Sequence, residues 1–131
     1  MIVVDSSVWI GQFRGADRRA VSSLNRIMAM EEAYTVIVGD IVLVEVLRGA
    51  RDDRHAEWIE RRFRKFTIER MLDDRSAVRV AANYRELRRL GITVPTVDLI
   101  IATFCVERGY SLLHDDGDFD ALAPHLGLTV F

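Results

Sequence analysis

The chain contains very little cysteine and proline. Cys105 is its only cysteine, so no internal disulfide can form, and we expect a reducing compartment such as the cytoplasm. This residue lies between Phe104 and Val106, which favours a small packed side chain over a reactive thiol. The two prolines, Pro95 and Pro124, lie far apart, and the sequence has no proline-rich linker, repeat or low-complexity tract.

Long hydrophobic runs are also missing. No apolar stretch reaches the roughly 20 residues that a membrane-spanning helix needs, and Met1 leads directly into a strand-like segment that contains Asp5. We therefore expect neither a membrane span nor a secretory signal. With 131 residues, half of them hydrophobic and 29% charged, residues 1–131 are predicted to form one globular domain.

Positive charge does not exceed negative charge overall, but one segment is net basic. The net charge is −2 and lysine occurs once, which is not the balance of a general nucleic-acid binder. Residues 48–70 are nevertheless net basic, and arginine and phenylalanine suit phosphate contact and base stacking. The candidate RNA-binding residues are Arg61, Arg62, Arg64 and Lys65. The alternative is a solvated helix face whose aromatic side chains turn inward.

Short apolar runs alternate with stretches of helical period along the whole chain. Strands are predicted at 2–4, 35–38, 67–68, 111–113 and 128–130. Helices are predicted at 17–32, 40–49, from 52 or 53 through Phe66, at 73–90, at 96–108, and through Phe119 and Leu122. Asp40 and Thr96 are the expected N-caps of two of them. Because the strand segments are continuously apolar and separated by helices, we predict an α/β fold with a parallel sheet between helices.

Four carboxylates occupy positions where a charge needs a specific reason. Asp5 ends the first apolar strand, Glu45 interrupts an apolar helix, Asp98 precedes Leu99-Ile100-Ile101, and Asp116 follows the strand 111–113. A buried carboxylate is usually paired or bound to a metal. In parallel sheets, sites collect beyond the carboxyl ends of the strands. If the four acids converge there, a divalent cation would relieve their repulsion.

Each acid also has an ordinary structural explanation. Asp5 follows a strand and can cap a turn, and Glu45 can pair on its helix with Arg48, three positions later. Asp98 is expected in the first turn of a helix, where the helix dipole favours a carboxylate. Asp116 lies beside a glycine, where aspartate is common in turns.

Four segments together resemble a known family. They are Val3-Val4-Asp5-Ser6-Ser7, Glu45-Val46-Leu47-Arg48-Gly49, Val97-Asp98-Leu99-Ile100-Ile101-Ala102 and Leu112-Leu113-His114-Asp115-Asp116-Gly117-Asp118-Phe119. In this order and spacing they resemble the PIN-domain nucleases, and within them the VapC-type toxins of bacterial toxin–antitoxin pairs. The resemblance spans nearly the full chain. It implies a parallel sheet between helices, in agreement with the fold predicted above.

The resemblance also implies an activity and a set of site residues. Members of the family bind Mg²⁺ or Mn²⁺ through acidic residues and hydrolyse RNA phosphodiester bonds. The metal-binding, catalytic acids carried over by position are Asp5, Glu45, Asp98 and Asp116, with Asp118 as an accessory ligand and the hydroxyls of Ser6 and Ser7 supporting the first acid. The implied partners are an RNA substrate, a VapB-like antitoxin and a second copy of the chain.

His114 departs from the family pattern, which usually has Thr or Ser at this position. A neutral imidazole can bind a transition metal, but it is bulky enough to crowd the fourth acid. The other two histidines, His55 and His125, are expected at the surface.

Two rival functions remain open. A phosphoacceptor domain also places an aspartate after a buried strand, but those families use a lysine late in the chain, and Lys65 is the only lysine here. The second rival is a PIN-like regulatory protein that binds DNA together with an antitoxin and has no significant nuclease activity.

Overall fold

The computed structural model of the protein describes residues 1–30 and 35–131. The strands are β1 (Ile2–Val4), β2 (Val36–Gly39), β3 (Thr67–Glu69), β4 (Ser111–Leu113) and β5 (Thr129–Val130). The helices are α1 (Ser6–Phe13), α2 (Arg19–Ala29), α3 (Asp40–Leu47), α4 (Asp53–Phe63), α5 (Asp74–Arg89), α6 (Thr96–Arg108) and α7 (Gly117–Leu126).

The five strands form one parallel sheet in the order β3-β2-β1-β4-β5. In the centre, Val3 pairs with Ile37 of β2 on one side and with Leu112 of β4 on the other. Neighbouring residues of a strand point to opposite faces, yet Val3 and Val4 are both fully buried, so helices cover both faces of the sheet. The predicted α/β fold with a parallel sheet between helices is confirmed.

An aromatic cluster joins α1 to α4. The Trp9 ring lies 5.0 Å from Phe63 and 5.3 Å from Phe66, centroid to centroid, and Phe13 makes edge contacts with Phe63 and Trp58. Phe63 is completely buried. Phe63 of the basic segment therefore stabilises the core, as the inward-facing alternative predicts, and is not free to stack on bases, whereas Trp58 is 37% exposed.

Some element boundaries differ from the sequence prediction. Helix α1 was not predicted at all, and α2 begins at Arg19 where position 17 was expected. The last two residues of the predicted helix 17–32 lie outside the described residues. Asp40 is not an N-cap, because Gly39 has that position and Asp40 is the first helical residue. Likewise Pro95 is the N-cap of α6, and Thr96 begins the helix.

Asp40 connects the start of α3 to the segment after β3. Its Oδ1 accepts hydrogen bonds from the backbone N–H groups of Ile41 (2.9 Å) and Met71 (3.0 Å). Met71 in turn packs against Gly39, which has no side chain to displace it. This contact sets where α3, the helix that carries Glu45, leaves the sheet.

Among the described residues, no helix is both long and apolar enough to cross a membrane.

Candidate metal centre

Asp5 lies at the carboxyl end of β1, where it is the N-cap of α1. Its Oδ2 accepts hydrogen bonds from the Ser7 backbone N–H (2.9 Å) and from the Ser7 hydroxyl (2.6 Å). Its Oδ1 is buried and has no hydrogen-bond partner among the residues that the structure describes, and Asp5 is only 2% exposed. A cap needs one carboxylate oxygen, so the cap explanation leaves the second oxygen unaccounted for. An oxygen of this kind is suited to bind a cation.

Glu45 points from α3 toward the same region. Its Oε1 is buried, and no described residue donates a hydrogen bond to it. Burial, followed by repulsion from Asp5, raises its pKa, whereas the Ser6 hydroxyl and the positive charge of Arg48 act in the opposite direction. Arg48 therefore attracts the Glu45 carboxylate, as the sequence allowed, but this attraction does not provide the Oε1 atom with a hydrogen bond.

Asp98 lies in the first turn of α6 and is 8% exposed. Its pKa is raised to about 7, first by burial and then by repulsion from Asp5, Asp116, Asp118 and Glu45. The favourable dipole at the start of the helix does not offset these effects. Five carboxylates thus share one small region, and burial together with their repulsion raises the pKa of Asp98 to about 7, so that this group retains a proton near neutral pH when no cation is bound.

Three of these acids form a compact group of oxygen atoms. Asp98, Asp116 and Asp118 each offer one carboxylate oxygen, and the three oxygens lie within 4.8 Å of one another. Asp116 is the N-cap of α7 and accepts a hydrogen bond from the Asp118 backbone N–H (3.0 Å). This spacing and an all-oxygen donor set fit a divalent cation. The group could therefore hold a divalent metal, with Asp5 and Glu45 beside it.

Comparison with known proteins agrees with this geometry. The family profile described as the PIN domain matches residues 2–124. The chain belongs to the PIN-domain family. A VapC ribonuclease of Mycobacterium bovis and Ribonuclease VapC11 of Mycobacterium tuberculosis are each 32% identical to it over 127 residues, covering 94% of this chain and 92% of the relative. The chain therefore belongs to the VapC branch of the PIN domains.

Solved structures of similar fold come from several bacteria. VapBC2 of Rickettsia felis, crystallised with a DNA fragment from its promoter, has a TM-score of 0.78 at 15% identity, covering 100% of this chain and 98% of that one. VapBC-1 of Haemophilus influenzae has a TM-score of 0.76 at 14% identity and coverages of 100% and 97%. VapC20 of Mycobacterium tuberculosis, a toxin that cleaves the sarcin–ricin loop, has a TM-score of 0.66 at 21% identity and coverages of 92% and 94%.

In this PIN domain, His114 does not project into the group of acids as a free ligand. Its Nδ1 accepts a hydrogen bond from the Asp116 backbone N–H (3.3 Å), so that nitrogen is already used. Its buried Nε2 faces Asp120 at 3.6 Å, and the side chain is 6% exposed. The imidazole therefore acts as the hydrogen-bond acceptor that shapes the turn carrying Asp116. Of the other histidines, His125 is exposed and His55 is partly buried.

Ser7 joins the first acid to the segment after β4. It donates its hydroxyl to Asp5, and the same oxygen accepts the backbone N–H of Asp115 (3.1 Å). The carboxylate of Asp115 is held in turn by the Arg18 guanidinium at 2.6 and 2.9 Å. Sequence reasoning named Ser7 but missed Arg18 and Asp115, since no local pattern connects residues this far apart.

The basic residues of α4 lie elsewhere. The Arg62 guanidinium stacks on the Trp58 ring at 3.4 Å, and Arg64 forms an ion pair with Glu60 at 2.8 Å. Lys65 comes just before the amino end of β3, whereas the acids follow the carboxyl ends of parallel strands. The structure thus does not bring Arg61, Arg62, Arg64 and Lys65 together with the acids. The position of Lys65 also excludes it as the lysine of a phosphoacceptor site beside Asp5.

Cys105 is fully buried in α6. Burial, with repulsion from Asp5, raises the pKa of its thiol to about 12. The thiolate is the reactive form of cysteine, so this residue packs as a small apolar side chain and takes no part in the chemistry.

Proposed function

We propose that residues 1–131 form a single PIN domain that acts as a metal-dependent endoribonuclease, the VapC-type toxin of a toxin–antitoxin pair. One observation carries the proposal: the oxygens of Asp98, Asp116 and Asp118 lie within 4.8 Å of one another, beside Asp5 and Glu45, each of which has one buried oxygen that accepts no hydrogen bond from a described residue. The 32% identity to proteins named VapC ribonucleases supports the same activity.

The proposed metal ligands fit Mg²⁺ or Mn²⁺. Hard divalent cations prefer carboxylate oxygens and use few of them, because Mg²⁺ retains several waters. Asp5 offers its Oδ1, which accepts no hydrogen bond from a described residue, and Asp98 offers a carboxylate whose pKa is raised by burial and by repulsion from the neighbouring acids. Glu45, Asp116 and the accessory Asp118 complete the set. When bound, the cation supplies positive charge for the attacked phosphate and lowers the pKa of a nearby water molecule.

The protein's own groups then position the reactants. The hydroxyls of Ser7 and Ser6 fix the rotamers of Asp5 and Glu45 so that their free oxygens face the phosphate. Glu45 or Asp116 accepts a hydrogen bond from the attacking water and orients it in line with the leaving oxygen. Because water is the nucleophile, the products carry a 5′-phosphate and a 3′-hydroxyl, and the ribose 2′-hydroxyl is not needed.

Partners and location follow from the same proposal. Several structural neighbours are VapBC toxin–antitoxin complexes, so we propose a VapB-like antitoxin for this chain and a homodimeric toxin. A ribonuclease of this kind acts on RNA in the cytoplasm, where a protein with a single buried cysteine stays reduced.

The test is incubation of the purified chain with total RNA in Mg²⁺ or Mn²⁺. We expect discrete cleavage that EDTA, Asp5→Asn and Asp98→Asn each abolish, because each removes a metal or one of its ligands. Asp74→Asn is the matched control, since it makes the same change at an exposed position in the first turn of α5. Mn²⁺ should also raise the melting temperature of the wild type and leave that of Asp98→Asn nearly unchanged.

Full cleavage by both Asp5→Asn and Asp98→Asn would contradict the mechanism. No cleavage by a folded wild-type protein that Mn²⁺ stabilises would instead favour the regulatory alternative, a PIN-like protein that acts only in a DNA-binding complex with its antitoxin. In that case, the 5′-phosphate and 3′-hydroxyl ends would also be missing from the treated RNA.

A further inference from the structure

A cleft of about 690 Å³ adjoins the acids on the side of α2. Its two long walls have opposite charge. Helix α2 and the residue before it form one wall with Arg18, Arg19, Ser23 and Arg26, and the segment after β4 with the start of α7 forms the other with His114, Asp115, Asp116 and Asp120. The carboxyl-terminal residues Val130 and Phe131 also line it. Asp116 belongs both to this cleft and to the group of oxygens suited to a metal, so the cleft opens directly onto the proposed centre.

The basic wall presents a single face of one helix. Arg19, Ser23 and Arg26 are four and then three positions apart, which aligns them on one side of an α-helix. The opposite side of α2 is buried through Val21, Leu24 and Ile27. The sequence thus keeps the arginine face turned toward the cleft, because rotating the helix would expose its apolar side.

The arginines of this wall differ in how they are engaged. Arg18 is already neutralised by its two hydrogen bonds to Asp115. Arg26 contacts only the Ser23 hydroxyl, at 3.4 Å, in the part of the chain that the structure describes, and neither it nor Arg19 forms an ion pair with a described acid. Among the described residues, two guanidinium groups therefore line the cleft without an ion-pair partner, although the opposite wall carries carboxylates.

We infer that Arg19 and Arg26 bind the RNA backbone at a phosphate next to the one that is cleaved. This inference rests on the proposed function, since it assumes that the cleaved phosphate lies at Asp116. If the reacting phosphate of an RNA chain lies at the acidic wall, the neighbouring phosphates of that RNA lie along the opposite, basic wall. Arginine is the residue best suited to hold them, because its planar group donates two parallel hydrogen bonds to phosphate oxygens. The Ser23 hydroxyl adds a third donor on the same face.

The assignment replaces the basic end of α4 as the main RNA contact. There, Arg62 is stacked on Trp58 and Arg64 is paired with Glu60, whereas Arg19 and Arg26 form no ion pair with an acid that the structure describes and line the same cleft as Asp116. The two assignments make opposite predictions for paired substitutions.

The experiment measures the affinity of a short, fluorescein-labelled single-stranded RNA by anisotropy, at several salt concentrations in Mg²⁺. All variants are made in the Asp98→Asn background, so that cleavage does not interfere. We expect Arg19→Gln with Arg26→Gln to weaken binding on the order of tenfold and to reduce the slope of log affinity against log salt by about 1.4, because each phosphate contact on a single strand contributes about 0.7.

The matched control is Arg75→Gln with Arg79→Gln, which removes the same charge from the start of α5. Ser76 lies beside these two arginines and donates a hydrogen bond to Glu107 near the end of α6 (3.1 Å). At about 1.5 Å per residue, Glu107 lies roughly 13 Å along the helix from Asp98. We expect these variants to leave both the affinity and the salt slope unchanged. Thermal melting of each variant checks that it is folded.

Three results would overturn the assignment. They are an unchanged salt slope for the α2 pair, an equal loss for the α5 control pair, and a loss confined to Arg61→Gln with Arg64→Gln. Because binding is read without cleavage, failure here is distinguishable from failure of the proposed nuclease. RNA cleavage by the wild type with unaltered binding by the α2 pair would reject only the phosphate contact. Weakened binding by the α2 pair without any cleavage by the wild type would reject only the nuclease.

Discussion

The Arg18 guanidinium holds the carboxylate of Asp115, 97 positions later, through two hydrogen bonds of 2.6 and 2.9 Å. These bonds lower the pKa of Asp115 from its ordinary value. Arg18 precedes α2, and Asp115 precedes the fourth acid, Asp116. The pair therefore fixes the distance between the two walls of the cleft.

Reversing one charge of this pair should weaken that connection. We expect Arg18→Asp to lower the urea midpoint of unfolding and to reduce RNA cleavage, because it places two carboxylates against each other. The double variant Arg18→Asp with Asp115→Arg should recover most of both losses, since the pair is re-formed with its charges exchanged. If the losses of the double variant equal the sum of the losses of Arg18→Asp and Asp115→Arg measured separately, the two side chains are not energetically coupled and the positions matter for another reason.

Ser7→Ala should be more damaging than loss of the Arg18 pair. The Ser7 hydroxyl donates to Asp5 at 2.6 Å and accepts from the Asp115 backbone at 3.1 Å. Its removal takes away one of the two hydrogen bonds that the Asp5 Oδ2 accepts and leaves the Asp115 N–H group without its partner, which we expect to cost about 1–3 kcal/mol of unfolding free energy. Urea unfolding measures this loss, and the cleavage assay should show reduced activity as Asp5 loses its fixed rotamer.

The exposed Ser22→Ala on α2 provides the comparison. It removes a hydroxyl from a helix as Ser7→Ala does, and we expect a change within about 0.5 kcal/mol, as is usual for surface positions. Equal losses for the two variants would mean that the hydrogen bonds of Ser7 contribute nothing specific.

The stability of the metal-free protein should fall as the pH rises toward neutrality. The pKa of Asp98 is raised from 3.8 to about 7 in the folded protein, so between these values the folded state binds the proton more tightly than the unfolded chain does. The free energy of unfolding therefore decreases with pH over this window. Urea midpoints in EDTA at pH 5 and pH 8 measure the effect.

Asp98→Asn tests the assignment to this residue. The amide does not titrate, so the variant should lose part of the pH dependence. The remainder should reflect Glu45, whose pKa is also raised by burial and by Asp5. An Asp98→Asn protein whose stability changes with pH as steeply as that of the wild type would show that another group carries the effect.

Asp5 and Glu45 could be found from the sequence because each interrupts an apolar context. Glu45 lies among Val42, Val44 and Val46, and Asp5 follows three apolar residues, so their charge conflicts with burial locally. The parallel sheet followed from the same apolar runs. These features depend on neighbours in the chain, which a single sequence displays.

Helix α1 and the walls of the cleft could not be found in this way. Residues 6–13 are short, mostly apolar and contain Gly11, so they have little intrinsic helix propensity. The helix forms because Trp9 packs against Phe63 and Phe66, contacts made across more than 50 positions. The ion pair between Arg18 and Asp115 likewise depends on the folded topology, and neither residue differs by itself from an ordinary surface charge.

A single methyl group at Gly39 should disturb the core beneath the site. A Cβ built there overlaps Met71, whose side chain is buried. The methionine can move only by displacing its neighbours, so we expect Gly39→Ala to lower the free energy of unfolding by about 1–3 kcal/mol, the usual range for overpacking. Gly49→Ala, where the nearest atom is the Val46 carbonyl oxygen at an ordinary 3.5 Å, should change the free energy of unfolding far less.

Adding Met71→Ala to Gly39→Ala makes room for the new methyl group. In the Gly39→Ala background, Met71→Ala should therefore lower the free energy of unfolding by less than it does in the wild type. Additive losses in that double variant would mean that the two side chains never compete for the same space.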